Sequence, residues 1–244
     1  MTFELRLGDL TVDVILKDIK NVHLSVYPPT GRVRIAAPRN MTLETIRLFA
    51  ISKLGWIKRQ QRRQREQDRE TPREYIERES HYLWGRRYLL QVEEDAPRSY
   101  VALSHRHIEL GVPEGADATK KQAVLDNWYR EELRAAARDR IEFWEQRLRV
   151  TVDRLFIQRM KTKWGGSSPE RGTIRLNLEL AKKDAECLDY VVLHEMAHFI
   201  VPNHGEGFVG LLDHHMPNWR AVRKHLNDLP LPADSFEQQR KEPV

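Results

Sequence analysis

The stretch Leu188-Asp189-Tyr190-Val191-Val192-Leu193-His194-Glu195-Met196-Ala197-His198-Phe199-Ile200-Val201-Pro202-Asn203-His204 decides how the rest of the chain is read. It reads as a helix from about Asp184, the expected N-cap, to Ile200. Two histidines four residues apart project from one helical face, within reach of one metal ion. Glu195 stands beside them, placed to take a proton from a metal-bound water. Pro202 disfavours helical backbone at Val201, so the chain can turn back and present a third imidazole, His204. Three protein ligands and one open position make a catalytic rather than a structural zinc site. The expectation is one zinc ion per chain on His194, His198 and His204, with Glu195 as general base. His214, His215 and Glu206 are rival third ligands, and His204 is preferred because it follows the helix break. The competing reading is a helix whose histidines are merely half-buried polar residues.

Upstream, Lys163–Ser168 and Thr173–Asn177 read as a hairpin joined by the turn Pro169-Glu170-Arg171-Gly172. A short strand precedes it at Leu155–Gln158. Gly165 and Gly166 permit close backbone approach. Trp164, Gly165, Gly166 and Ser167 are therefore candidate substrate-binding residues, on a sheet edge able to pair with an extended peptide. The alternative is a hairpin that only packs on a helix. Before it, Tyr129, Leu133, Ala137, Ile141, Trp144 and Leu148 mark one apolar face of a long helix from about Lys120 to Val150. Downstream, helical stretches are expected near Gly207–Asp213 and Asn218–Leu226, and Met216 reads as ordinary packing rather than a turn beneath a metal.

The first part of the chain reads differently. Period-2 alternation in Phe3-Leu5-Leu7, Val12-Val14-Leu16, Val22-Leu24-Val26 and Val33-Ile35 predicts strands with one buried face. Thr42 then caps a helix with Thr45 at its third position. The β pattern returns between Tyr82 and Leu110, where His105 and His107 form a His-x-His that is read as surface chemistry rather than a metal pair. No internal repeat is evident. Boundaries are expected at 1–115 for a β-rich region carrying a basic helix and linker at 42–72, 116–230 for the metal-bearing core, and 231–244 for a frayed tail.

The chain has 244 residues, 40% hydrophobic and 32% charged, with a formal net charge of +5. Such a composition excludes collagen-like and wholly disordered chains. Its single cysteine, Cys187, excludes an intramolecular disulfide and a cysteine zinc cluster and suits a reducing, cytoplasmic location. No window approaches about 18 uncharged apolar residues, so no membrane span is expected. The basic run from Lys58 to Arg69 (residues 58–69) is either a solvated helix face or a nucleic-acid contact. Its glutamines and lack of interleaved aromatics favour the former.

The stretches Met160-Lys-Thr-Lys-Trp-Gly-Gly-Ser-Ser, Gly172-Thr-Ile-Arg-Leu-Asn, Leu188 to His198, Asn203-His204, Phe208 and Met216-Pro-Asn-Trp together resemble the YgjP-like metallopeptidase family, related to the SprT and WLM zinc peptidases. The family's usual Trp-Gly-Ser-Cys-Ser is here Trp164-Gly165-Gly166-Ser167-Ser168. The Ser or Asn common after the third His is Gly205, and the aromatic common after Phe is Val209. The resemblance implies an α+β fold with a zincin-like (minigluzincin) core, zinc on His194, His198 and His204, Glu195 as base, and a protein or peptide substrate. Other readings stay open: a metal-dependent hydrolase of another bond or a DNA-associated, crosslink-repair-like protease, and a non-enzymatic nucleic-acid-binding module with a structural metal.

Overall fold

The computed structural model describes residues 2–27, 30–66, 73–160 and 163–229. The fold is mixed α+β, in two compact units that divide between residues 71 and 72. In the first unit, β1 (Thr2–Leu7), β2 (Leu10–Lys17), β3 (His23–Tyr27) and β4 (Arg32–Pro38) form one sheet in the order β1-β2-β4-β3. The alternation seen in the sequence becomes a buried face of Leu5, Val12, Val14, Val33, Ile35 and Ala37. Ile46 and Ala50 of α1 (Leu43–Ser52) and Ile57 of α2 (Leu54–Glu66) complete this core. Asp13, between Val12 and Val14, points to the opposite face and pairs with Arg32. Lys58, Arg59 and Arg62 lie exposed on α2, while residues 67–69 of the basic run and the 231–244 tail lie outside the described residues.

In the second unit, β5 (Ser80–Leu83), β6 (Arg86–Glu93), β7 (Tyr100–Leu103) and β8 (His107–Gly111) form a sheet in the order β5-β6-β8-β7. Its outer pairs are antiparallel and its central pair parallel, as in the first unit's sheet. Each sheet leads into a capped helix. Thr42 accepts from the Thr45 amide, and Asp117 accepts from the Lys120 amide at the start of α3 (Ala118–Leu148). Val33, Ile35, Ala37 and Pro38 hold the places that Ile108, Leu110, Val112 and Pro113 hold in the second sheet. The chain therefore repeats one ββββα pattern, which the sequence analysis did not expect. Val33, Ile35 and Ala37 share burial but not identity with Ile108, Leu110 and Val112, since a sheet face requires only apolar side chains.

The expected boundary at 115/116 is displaced for a packing reason. Leu83, Leu90, Ile108, Leu110 and Val112 share one buried cluster with Leu125, Tyr129 and Leu133 of α3 and with the elements beyond. The Tyr129 hydroxyl donates to the Tyr82 carbonyl at 2.9 Å, and the Trp84 amide to the Ala181 carbonyl at 2.9 Å. The second sheet thus belongs with the metal-bearing part.

β9 (Arg154–Gln158), β10 (Gly165–Ser168) and β11 (Thr173–Asn177) form a small sheet ordered β10-β11-β9. The hairpin turns through Gly172, whose φ of 55° is left-handed and where a Cβ would meet Asp153. α3 buries Tyr129, Leu133, Ala137, Ile141, Trp144 and Leu148, the stripe expected from the sequence. α4 (Ala185–Ala197), α5 (Glu206–His215) and α6 (Trp219–Asp228) complete the unit. Among the described residues, no helix is long and apolar enough to cross a membrane.

Glu179, 2% exposed, sits under α3 with Arg159 Nη1 at 3.2 Å and Lys182 Nζ at 2.9 Å. Burial pushes its carboxyl up, but the charges of Lys182 and Arg159 outweigh it and hold the group below its ordinary 4.5. Its stabilising contribution is therefore fully present above pH 4.5 and lost as the pH falls through the folded value. Glu179→Ala should cost about 1–3 kcal/mol by urea denaturation at neutral pH, because it removes charge-assisted bonds from Lys182 and from Arg159, which keeps Asp126. The gap to the wild type should narrow as the titration is carried into acid.

Candidate metal centre

α4 is buried along most of its length, through Cys187, Leu188, Tyr190, Val191, Val192, Leu193, Met196 and Ala197. Its regular turns stop at Ala197, short of the expected Ile200. The amides of Phe199 and Ile200 reach back only three residues, to Met196 and Ala197, and the Val201 amide shares the Ala197 carbonyl. This tightened last turn, followed by Pro202, reverses the chain and carries His204 back over the helix.

One ring nitrogen from each of His194, His198 and His204 lies within 4.8 Å of the other two. The Nε2 atoms of His194 and His204 are 3.1 Å apart. Phe208 of α5, fully buried, floors the cluster, with its ring centre 5.0, 4.8 and 4.7 Å from the three imidazole centres. His198 Nδ1 lies 3.3 Å from the Val201 carbonyl, an acceptor that fixes its proton there and leaves Nε2 as a lone pair. Burial, then the neighbouring charges of His198, His204 and Arg223, drive His194 down to about 3. Burial, His198 and Arg223 also lower His204. His194 and His204 are thus held against protonation. Two Nε2 atoms 3.1 Å apart can share one ring proton or, with both lone pairs turned inward, one cation, and neutral imidazoles are the form that binds a cation. The donor set fits a divalent metal.

Glu195, 7% exposed, lies beside the trio beneath β10. Burial pushes its carboxyl up to about 7, against the Ser167 hydrogen bond and the Lys163 charge, which both favour the ionised form. Glycine is required at 165, because a Cβ there would come within 2.8 Å of Glu195 Oε1 and 2.9 Å of Val191 Cγ1. Asn177 holds the approach to this strand. It donates to the carbonyls of Met160 and Lys163, both at 2.8 Å, and its own amide donates to the Trp164 carbonyl at 2.9 Å.

These groups share a cleft of about 990 Å³. The predicted residues Trp164, Gly165, Gly166, Ser167, His194, Glu195, His198 and His204 all line it. Glu206, His214 and His215 do not, and His215 instead packs edge-on against Trp144 at 5.8 Å. Met216 is buried in the core cluster, as expected for packing. Sequence reasoning gave no role to Phe208, Tyr190 or Arg223. The last two line the cleft, and their only signal is helical spacing from His194 and Trp219.

A second group, Asp184, Cys187 and His225, also brings ligand-type atoms within 4.8 Å. Here Asp184 and His225 already satisfy one another at 2.7 Å. Burial pushes the Cys187 thiol up to about 11, so it stays protonated. Asp184 occupies the expected N-cap position of α4, but its carboxylate makes no cap bond and serves His225 instead.

This geometry is that of a metallopeptidase domain, and the comparison with protein families agrees. Residues 20–229 match the model of the YgjP-like metallopeptidase domain. The chain belongs to the YgjP-like metallopeptidase family and is a metal-dependent hydrolase. Among curated proteins there is no significant match. Two solved structures of metallopeptidase zymogens are similar over part of the chain. Abylysin of Pyrococcus abyssi is 20% identical, over 37% of this chain and 90% of its own, with a TM-score of 0.35. Jannalysin of Methanocaldococcus jannaschii is 26% identical, over 37% of this chain and 92% of its own, with a TM-score of 0.34.

Gly165→Ala tests the fit of β10 over Glu195. The added methyl should destabilise by about 1–3 kcal/mol in chemical denaturation, the usual cost of overpacking. It should lower hydrolytic activity while leaving metal content unchanged. A variant as stable and active as the wild type would show that the strand can lift away freely.

Proposed function

We propose that the protein is a zinc-dependent peptidase hydrolysing peptide bonds, with one ion held by His194, His198 and His204 and with Glu195 as general base. The observation that supports this most is the convergence, in one cleft, of three imidazoles, a buried carboxylate and the strand β10. Zinc suits three nitrogen donors with room for a further ligand. When bound, it lowers the pKa of water and polarises the scissile carbonyl.

The chain's own groups then have distinct tasks. In the order β10-β11-β9, one side of β10 has no strand partner among the described residues. An extended peptide can lie along that side, with Gly165 and Gly166 allowing its backbone close to the imidazoles. Glu195 takes a proton from the attacking water and passes it to the leaving amine. Ser167 and Lys163 favour the ionised carboxylate that accepts the proton, and burial favours the protonated form that returns it.

Metal analysis and digestion of a casein-like protein test this reading together. The wild type should hold close to one zinc per chain, and His194→Ala should lose it together with activity. Glu195→Gln should keep the metal while hydrolysis falls by about 10²–10⁴, the usual worth of a positioned acid–base group. Full activity in Glu195→Gln would remove the proposed base, and full metal content in His194→Ala would remove the proposed site.

A further inference from the structure

α6 is held against the rest of its unit by apolar residues. Trp219, Val222 and Leu226 are 7, 4 and 1% exposed. Tyr190 of α4 stacks on Trp219, with ring centres 6.2 Å apart and planes 8° from parallel, and it meets His194 edge-on at 5.7 Å. Arg223 lies one turn beyond Trp219 on the same side of the helix. It lines the cleft together with Tyr190 and the imidazoles.

Its neighbours on α6 are accounted for. Arg220 pairs with Asp213, Lys224 with Asp228 and His225 with Asp184. Among the described residues, Arg223 has no hydrogen bond and no carboxylate partner. Its charge instead reaches His194, His204 and Tyr190, none of which can neutralise it. Among the described residues the cleft's other cation, Lys163, lies by Glu195. An exposed guanidinium with no carboxylate partner among the described residues, beside a site suited to a divalent ion, is free to take an anion from outside. Its planar fork of donors matches a carboxylate in two-point contact.

We propose that Arg223 anchors a carboxylate of the bound substrate, so that the cleft selects peptides presenting an anionic group on the α6 side of the imidazoles. This rests on the peptidase reading above and names a substrate class for it. The carboxylate has two sources, the chain terminus of the peptide or an Asp or Glu side chain.

Three matched, fluorescently labelled, N-acetylated peptides separate them: one with a free C-terminal acid, one amidated and neutral, and one amidated with an internal Glu. Binding is followed by anisotropy, both to the metal-free wild-type chain and to zinc-loaded Glu195→Gln, so that no turnover is needed. At least one acidic peptide should bind about 10–100-fold more tightly than the neutral one, as expected for a charge-assisted bond. Whichever acidic peptide gains identifies the source. Arg223→Gln should reduce the preference to within about threefold, Arg223→Lys should restore part of it, and Lys163→Gln should leave it in place. Overturning results are no preference in either protein form, a preference that survives Arg223→Gln, one that follows Lys163 instead, or equal weakening of neutral and acidic peptides. Acid preference through Arg223 in a chain that cleaves nothing with zinc would remove the peptidase reading and keep this one. Cleavage without acid preference would do the reverse.

Discussion

Three imidazoles can meet at one point only if the chain reverses directly after His198, and that reversal is the constraint on which the rest of the centre depends. A helix sets two of the rings one turn apart, but no position on the same helix can bring a third around to face them. The tightened turn at Met196–Val201 and the proline after it end α4 within the space of one turn. Phe208 then fixes the outcome. It meets all three rings from a fully buried position on the next helix, so any change in the path of residues 199–205 would open a void beneath the histidines.

The same helix fixes the base. Glu195 follows His194, so wherever the first ring is held the carboxylate is held as well, and β10 closes over it. The fit leaves no room for a side chain at 165, which makes strand position and carboxylate position a single variable. Asn177 sets that variable from below, by binding the carbonyls of Met160 and Lys163 ahead of the strand. One buried amide side chain thereby links the small sheet's register to the placement of the proton-accepting group.

The parts of the molecule legible in the sequence are those governed by local periodicity. The α3 stripe, the hairpin through Gly172 and the histidines of α4 all follow from spacing within one element, and each element was found within a few residues of its expected place. What the sequence hid depends on partners distant along the chain. Nothing near residue 115 announces that β5–β8 share a core with α3, because an alternating strand pattern records that one face is buried and not what buries it. The repeated ββββα arrangement escaped notice for a related reason. Val33 and Ile108, or Thr42 and Asp117, are interchangeable in physical terms without being the same residue. Arg223 is the sharpest case. In the sequence it is one of several cations on an amphipathic helix, and it stands out only when the carboxylates of the others are seen.

The electrostatics of the cleft follow from two demands that pull in opposite directions. A cluster of neutral imidazoles must be shielded from protons, which burial and the nearby Arg223 accomplish for His194. A proton-accepting carboxylate must stay able to ionise, which the same burial resists at Glu195. The chain resolves the conflict by side. Ser167 and Lys163 stand on the strand side and act on Glu195, while Arg223 stands on the α6 side and acts on the histidines. Exchanging the two cations' surroundings would fail on both counts. A carboxylate in the protein beside Arg223 would raise the proton affinity of the imidazoles, and removing Lys163 would leave the buried glutamate with the Ser167 hydroxyl as its remaining support. Burial is the main cause that keeps His194 and His204 in the form that binds a cation, and Arg223, with no protein carboxylate beside it among the described residues, adds to it.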